Sequence, residues 1–405
     1  MPPKLDFYKI ATQAILLTMS GYSSLEREYV LNQIHKATEK TRILLSQARG
    51  SEFSSLEDLQ RIGVYKPKYI PYSTFFAVIS SYPTLKKVAP EADLADAILA
   101  KVSGVLSIKV LDNINDDLHT IEQAAESLDY QEKAFLEKAF YYRSGCDPIV
   151  RAENCTYLMA RWNYGILSEI ADSCSLSYKV FKEDMHTYIS GQKESFYQRM
   201  DAENKRIPQD LKEYLSSTCE KGIGNIWFDV DLCYYEKNNG GFNDQEFEMA
   251  SNIRKGMELA YKSALLYDDV SDLRDDLAHR IVNSVVLYAA DHGLLTLDEA
   301  CRDIDTTMLK LEKAGVLRDI IHLGDLMFLK SIRHLEAIKK ATNKSIDIDG
   351  ISFGFRVLRA FTMRKWIYRE RSITSIGALA RSFHSSDKLS RSIPERLLAY
   401  EEYIE

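Results

Sequence analysis

Two short aspartate runs stand out in this chain of 405 residues. In the segment 102–118, VSGVLSIKVLDNINDDL, an apolar stretch leads straight into Asp112, Asn113, Asn115, Asp116 and Asp117. Asp112 and Asp116 are four apart, so a helix puts them on one face. Two carboxylates on one face repel each other, and at the C-terminal side of a helix the dipole does not favour acids. A cation would relieve both problems. In 257–280, MELAYKSALLYDDVSDLRDDLAHR, Asp268, Asp272 and Asp276 recur at four-residue steps, flanked by Asp269 and Asp275. One acidic helix end alone reads as a solvated face. Two apolar helices that each end in a carboxylate stripe are hard to explain as surface decoration. The candidate metal ligands are therefore Asp112, Asp116 and Asp117 on one side, with Asp268, Asp269, Asp272 and Asp276 on the other. Asp112, Asp116, Asp268 and Asp272 would carry the catalysis.

Carboxylates are hard oxygen ligands suited to Mg²⁺, which keeps several waters and binds a few carboxylates together with substrate phosphates. Opposed stripes would hold Mg²⁺ against a diphosphate and stabilise the charge that develops as it leaves. An allylic diphosphate would leave a carbocation, which needs a dry apolar and aromatic cavity. Other ligand patterns fit poorly. An EF-hand starting at Asp112 would have Ile114 third, Asp117 sixth and Gln123 twelfth. Asp347-Ile-Asp349-Gly350 mimics part of such a loop, but Ser345 stands first and Arg356 twelfth, so it reads as a turn. Glu183 and His186 form a lone ExxH where a carboxylate-bridged di-iron bundle needs two. No GxxxxGK[ST] occurs, and Gly222-Ile-Gly224 lacks a third glycine for a nucleotide loop.

The elements that must position these residues read as helices. With only 9 Pro and 18 Gly the chain is poor in breakers, and apolar residues recur at three- and four-residue steps. Helices are expected from Ser23 or Ser24 towards Arg49, then over roughly 92–117, 119–142, 149–172, 176–201, 208–236 and from 244 to beyond 272. Residues 62–75, with two prolines, read as an irregular connector. Gly222 and Gly224 should kink or break the 208–236 helix, at about 1 kcal/mol per interior glycine. The N-terminal apolar stretch Ile10 to Met19 reads as a first helix and not as a signal peptide, since a basic n-region and cleavage site are missing. The net charge of −7 and the scattered basic residues argue against a nucleic-acid partner. No run is long enough to cross a membrane. Six cysteines without CxxC or Cys/His spacing read as reduced packing residues of a cytoplasmic protein.

At this level of detail the motifs resemble those of class I isoprenoid synthases. Leu111-Asp-Asn-Ile-Asn-Asp-Asp-Leu118 is similar to the first aspartate-rich motif of squalene and phytoene synthases, and Asp268-Asp-Val-Ser-Asp272, continuing to Asp276, resembles the second. Gly191-Gln192 is similar to the Gly-Gln helix of prenyl-chain enzymes. The Gly222/Gly224 break falls where terpene synthases have a kinked helix. The resemblance covers roughly 90–300 and implies one all-α domain over 1–405, a single large helical bundle around a central apolar cavity. N-terminal helices and a connector would occupy 1–90, the core with both motifs 91–300 and C-terminal helices 301–405. It also implies basic contacts to a diphosphate: Arg280, Lys221, and the Arg364, Tyr368 and Arg369 of MRKWIYRER. The pattern departs from chain-elongating enzymes, since 118–130 carries no Arg or Lys. It departs from typical terpene cyclases in an Asp-rich second motif. The expectation is an Mg²⁺-dependent terpene synthase acting on a prenyl diphosphate. The runner-up is a head-to-head prenyl coupling enzyme, and the alternative of another class is a non-catalytic helical scaffold. A homodimer is compatible with each reading.

Overall fold

The computed structural model describes residues 24–47, 50–202, 205–218, 223–339, 345–370 and 386–404. They form an all-α bundle, and the only extended pairing among them is an isolated bridge between Arg199 and Ile281. The early helices are α1 (Ser24–Gln47), α2 (Leu56–Arg61), α3 (Tyr69–Leu85), α4 (Glu91–Leu118), α5 (Ile121–Leu136), α6 (Pro148–Ser168), α7 (Ser175–Ser195) and α8 (Leu211–Glu213). They are followed by α9 (Ile223–Asn239), α10 (Asp244–Ala278), α11 (Ser284–Asp291), α12 (Leu297–Ala300), α13 (Ile304–Lys313), α14 (Val316–Lys339), α15 (Ile348–Glu370) and α16 (Ser386–Ser390).

Five of these helices close a ring. α3 packs on α4, α4 on α9, α9 on α10, α10 on α15, and α15 returns to α3. Glycines permit two of the approaches. A Cβ on Gly104 of α4 would lie 2.8 Å from the Trp227 ring of α9, and one on Gly224 would lie 2.7 Å from the Met257 carbonyl oxygen of α10. The α3–α15 seam is closed by edge-to-face contacts of Phe361 with Tyr72 and Phe76, each at 5.0 Å between ring centres. Outside the ring, α6 backs α4, α7 backs α9 and α14 backs α10. α4 and α9 are buried on nearly all sides, as expected of helices at the centre of a bundle.

The helices over 24–47, 91–118, 148–168 and 244–278 match the sequence expectations closely. Other bounds need correction. The connector ends at Lys68, and α3 begins at Tyr69 with Pro71 in its first turn, where a missing N–H costs nothing. α5 stops at Leu136 and α7 at Ser195, each six residues short of the expected ends at 142 and 201. In the 208–236 stretch helical geometry begins at Leu211 and passes into a π-helical turn over Tyr214–Thr218, and α9 is described from Ile223. Asp347, read from the sequence as part of a turn, stands immediately before α15. Its carboxylate accepts from the Gly350 N–H at 3.0 Å and pairs with Lys86 at 2.7 Å, where α15 starts. The first helix expected near Ile10, Cys219, Lys221 and Gly222 lie outside the described residues. The other five cysteines are free thiols.

Candidate active site

The ring borders a half-open cavity of about 610 Å³. α10 contributes Tyr261, Ala264, Leu265, Asp268 and Asp272 to its wall, in line with one helical face. α4 contributes Lys101, Val105, Ile108, Lys109 and Asn113. Asp112 and Asp116 continue that α4 face by spacing, since 105, 109, 112 and 116 fall within one stripe. Contacts agree: Lys109 Nζ, at the cavity wall, donates to Asp112 Oδ2 at 2.6 Å. The Asp112 carboxylate holds the Lys109 ammonium firmly charged, with Asp116 adding to the effect. Asp268 and Asp272 line the cavity from α10, whereas Asp112 and Asp116 are not part of its lining, and Asp112 is joined to the wall only through Lys109.

Local bonds fix the rotation of each helix. On α4, Asn113 Nδ2 donates to the Val64 carbonyl at 2.8 Å and to the Tyr69 hydroxyl at 2.9 Å. The buried Asn115 Oδ1 accepts from Ser127 Oγ at 2.8 Å. The asparagines of the first motif therefore anchor it, which leaves its aspartates to face outward from that anchor. On α10, the Tyr267 hydroxyl donates to Asp325 Oδ1 of α14 at 2.7 Å, and Arg359 of α15 bonds the same carboxylate at 2.6 Å. Gly324 makes room, because a Cβ there would meet Tyr267 Cε1 at 2.6 Å. Tyr267 locked on one side sets Asp268 on the other.

Several sequence candidates take other places. Asp269 accepts from Tyr214 Oη at 2.9 Å, Ser284 N at 3.1 Å and Ser284 Oγ at 2.5 Å. It fastens the start of α11, and burial pushes its carboxyl up to about 6. Asp276 accepts from Asn283 Nδ2 at 2.7 Å, with burial and the nearby Asp269 pushing it up to about 7. Neither lines the cavity. Asp117 is exposed and falls about 100° around α4 from Asp116. Arg280 sits just past the end of α10 in a left-handed conformation, φ 57°. It is exposed near Asp201 and Cys301, away from the cavity. Arg364 does line the cavity. The side chains of Tyr368 and Arg369, like Lys221, lie outside the described residues.

Sequence reasoning missed four lysines at the wall: Lys66, Lys68, Lys101 and Lys109. Lys101 and Lys109 interrupt the apolar run of α4 eight residues apart, on the face that carries Val105, and that spacing was a usable signal. Lys66 and Lys68 gave none, because their place depends on how the connector docks. Lys66, Lys68, Lys109 and Arg364 share the cavity wall with Asp268 and Asp272, and Tyr72, Phe76, Trp227, Tyr261 and Phe361 add aromatic faces to it.

The cavity-facing aspartates form an all-oxygen donor set of the hard kind that suits Mg²⁺. Among the described residues no three His, Cys, Asp or Glu side chains gather into a ready metal cage. Such a sparse set would fit only an ion that takes most of its shell from outside the protein.

Neither a protein-family model nor a curated protein matches the chain. Among solved structures it is similar to the SVS_A2 protein from ancestral sequence reconstruction, with TM-score 0.49, 15% identity, and coverage of 82% of this chain and 84% of that one. It is also similar to a cucumene synthase variant, with TM-score 0.37, 12% identity, and coverage of 78% and 93%. At these scores and identities the likeness carries no argument about chemistry.

Proposed function

We propose that this chain is a class I terpene synthase that ionises an allylic prenyl diphosphate and lets the carbocation cyclise or lose a proton. The observation that carries the reading is one partly aromatic cavity lined by Asp268 and Asp272 on α10 and by Lys109 on α4, whose ammonium pairs with Asp112. Asp112, Asp116, Asp268 and Asp272 would hold Mg²⁺, which when bound supplies charge neutralisation to the departing diphosphate. Lys66, Lys68, Lys109 and Arg364 would orient the phosphate oxygens by charge-assisted hydrogen bonds. Tyr72, Phe76, Trp227, Tyr261 and Phe361 would exclude water and offer ring faces to the cation.

The test is incubation with geranyl, farnesyl and geranylgeranyl diphosphate in the presence of Mg²⁺, with diphosphate release and extractable products followed together. Release that disappears in Asp112→Ala and in Asp268→Ala supports the reading. Turnover that survives both substitutions ends the ligand assignment, and no consumption of any of the three substrates favours a non-catalytic scaffold.

Lys66 and Lys68 favour a second reading, because a prenyl coupling enzyme needs cations for a second diphosphate. That reading requires two diphosphates released per product molecule, and a terpene synthase requires one.

A further inference from the structure

The far end of the cavity carries a polar group that ionisation does not need. Lys101 and Ser80 both border the cavity, and Lys101 is only 1% exposed. Its ammonium pairs with Asp231 of α9, which is 0% exposed, and donates to Ser80 Oγ at 3.0 Å. Ser80 Oγ in turn donates to the Phe76 carbonyl at 2.8 Å. An ammonium has three N–H donors, and among the described residues the third has no acceptor. Asp231 also faces the buried Ser81 hydroxyl, which helps hold its charge. The spare Lys101 N–H at the cavity wall calls for a polar partner.

Depth follows from the antiparallel packing of α3 on α4. Near one end Asn113 bonds Tyr69, and near the other Lys101 bonds Ser80. Eleven or twelve residues separate these contacts along each helix, roughly 16–18 Å at the helical rise. The Lys101 group therefore lies a prenyl chain's length from the aspartates.

Resting on the reading of the site as a terpene synthase, we propose that Lys101, braced by Asp231 and Ser80, holds a water molecule at the cavity floor, and that this water captures the carbocation as an alcohol. The water accepts the spare Lys101 N–H and keeps a lone pair directed into the cavity. The carbon–oxygen bond to diphosphate breaks, and its electron pair leaves with the phosphate oxygen. The water oxygen supplies the pair for a new carbon–oxygen bond. The resulting oxonium gives its proton to Lys101 as Lys101 passes one of its own to Asp231. The sequence is redox-neutral and leaves Asp231 protonated until product departs. Burial pushes the Lys101 ammonium down and the Asp231 carboxyl up, each opposed by its partner, which narrows the gap this transfer must cross. Capture at the floor puts the hydroxyl on a carbon remote from the one that bore the diphosphate.

The test is product analysis by gas chromatography–mass spectrometry in ¹⁸O-labelled water with farnesyl and geranylgeranyl diphosphate and Mg²⁺. The wild type should yield ¹⁸O-labelled alcohols hydroxylated at a remote carbon. In Lys101→Met/Asp231→Leu, which removes the pair without stranding a charge, the alcohol-to-olefin ratio should fall by about tenfold or more. Ser80→Ala keeps the ion pair and should lower the same ratio, so the proposal stays testable if the double variant does not fold. Olefins alone from the wild type, hydroxyls only at the allylic carbons, or an unchanged ratio in the variants would overturn the proposal and leave the terpene synthase reading standing. Absence of diphosphate release from the wild type would overturn both.

Discussion

Asp268 and Asp269 are neighbours in sequence with opposite situations. Asp268 borders the cavity, whereas Asp269 is spent on Tyr214 and Ser284. Substitution should separate the two. Asp268→Asn and Asp112→Asn should each reduce diphosphate release by about 100-fold or more, if their contacts to the ion matter mainly as charge is expelled. Their stability should change little, because the Lys109–Asp112 pair that Asp112→Asn breaks is part-exposed and worth about 0–1 kcal/mol. Asp269→Ala should instead cost about 1–3 kcal/mol of stability through the donors it strands. Denaturant unfolding beside a release assay measures both, and equal stability losses at 268 and 269 would contradict the division. Glu153 offers a pH test away from the cavity. It is fully buried, bonded to Arg143 at 2.8 Å, and burial pushes its carboxyl from 4.5 up to about 7. The folded state therefore holds this proton more tightly than the unfolded chain. Its stabilising contribution is complete below about pH 4.5 and is lost as pH rises through about 7. Stability should fall over that window by on the order of 1 kcal/mol per pH unit, and Glu153→Gln should flatten the slope.

At the scale of elements, α10 and α14 form the most extensive helix pair in the molecule. Gly324 is the point at which α14 admits the Tyr267 ring. Gly324→Ala should cost about 1–3 kcal/mol by overpacking. It should also slow turnover, because a displaced Tyr267 rotates Asp268 away from the cavity. A variant that melts lower but turns over at the wild-type rate would show that α10 keeps its register by other contacts. The segment before α9 has a related role. The π-helical turn Tyr214–Thr218 carries the hydroxyl that bonds Asp269, and α9 brings Ile223 and Trp227 to the cavity wall. The place of α9 was not legible in the sequence, because it depends on the fit of Gly224 against Met257 and Tyr261.

At the scale of the whole molecule, five helices drawn from residues 69–370 must meet to make one cavity. Its capacity of about 610 Å³ is set by side chains from all five. Val105, midway between Lys101 and Lys109 on the α4 wall, is a place to reduce it. Val105→Trp should reject geranylgeranyl diphosphate before geranyl diphosphate and shift their kcat/KM ratio by about tenfold or more. An unchanged ratio across the three chain lengths would mean that substrate does not extend past this position.

The sequence by itself determined that the chain is helical, where most long helices run, and that Asp112 with Asp116 and Asp268 with Asp272 share helix faces. These are local properties: side-chain spacing along a helix follows from 3.6 residues per turn whatever the helix packs against. Tertiary structure alone decided which faces oppose one another. It turned Asp269 and Asp276 towards α11, left Arg280 outside, brought Lys66 and Lys68 to the cavity from a connector, and buried Lys101 against Asp231. Those outcomes depend on contacts between residues far apart in the chain, such as Lys101 with Asp231 and Tyr267 with Asp325. No local pattern encodes such pairings, because a buried charge is tolerated only where folding supplies its partner.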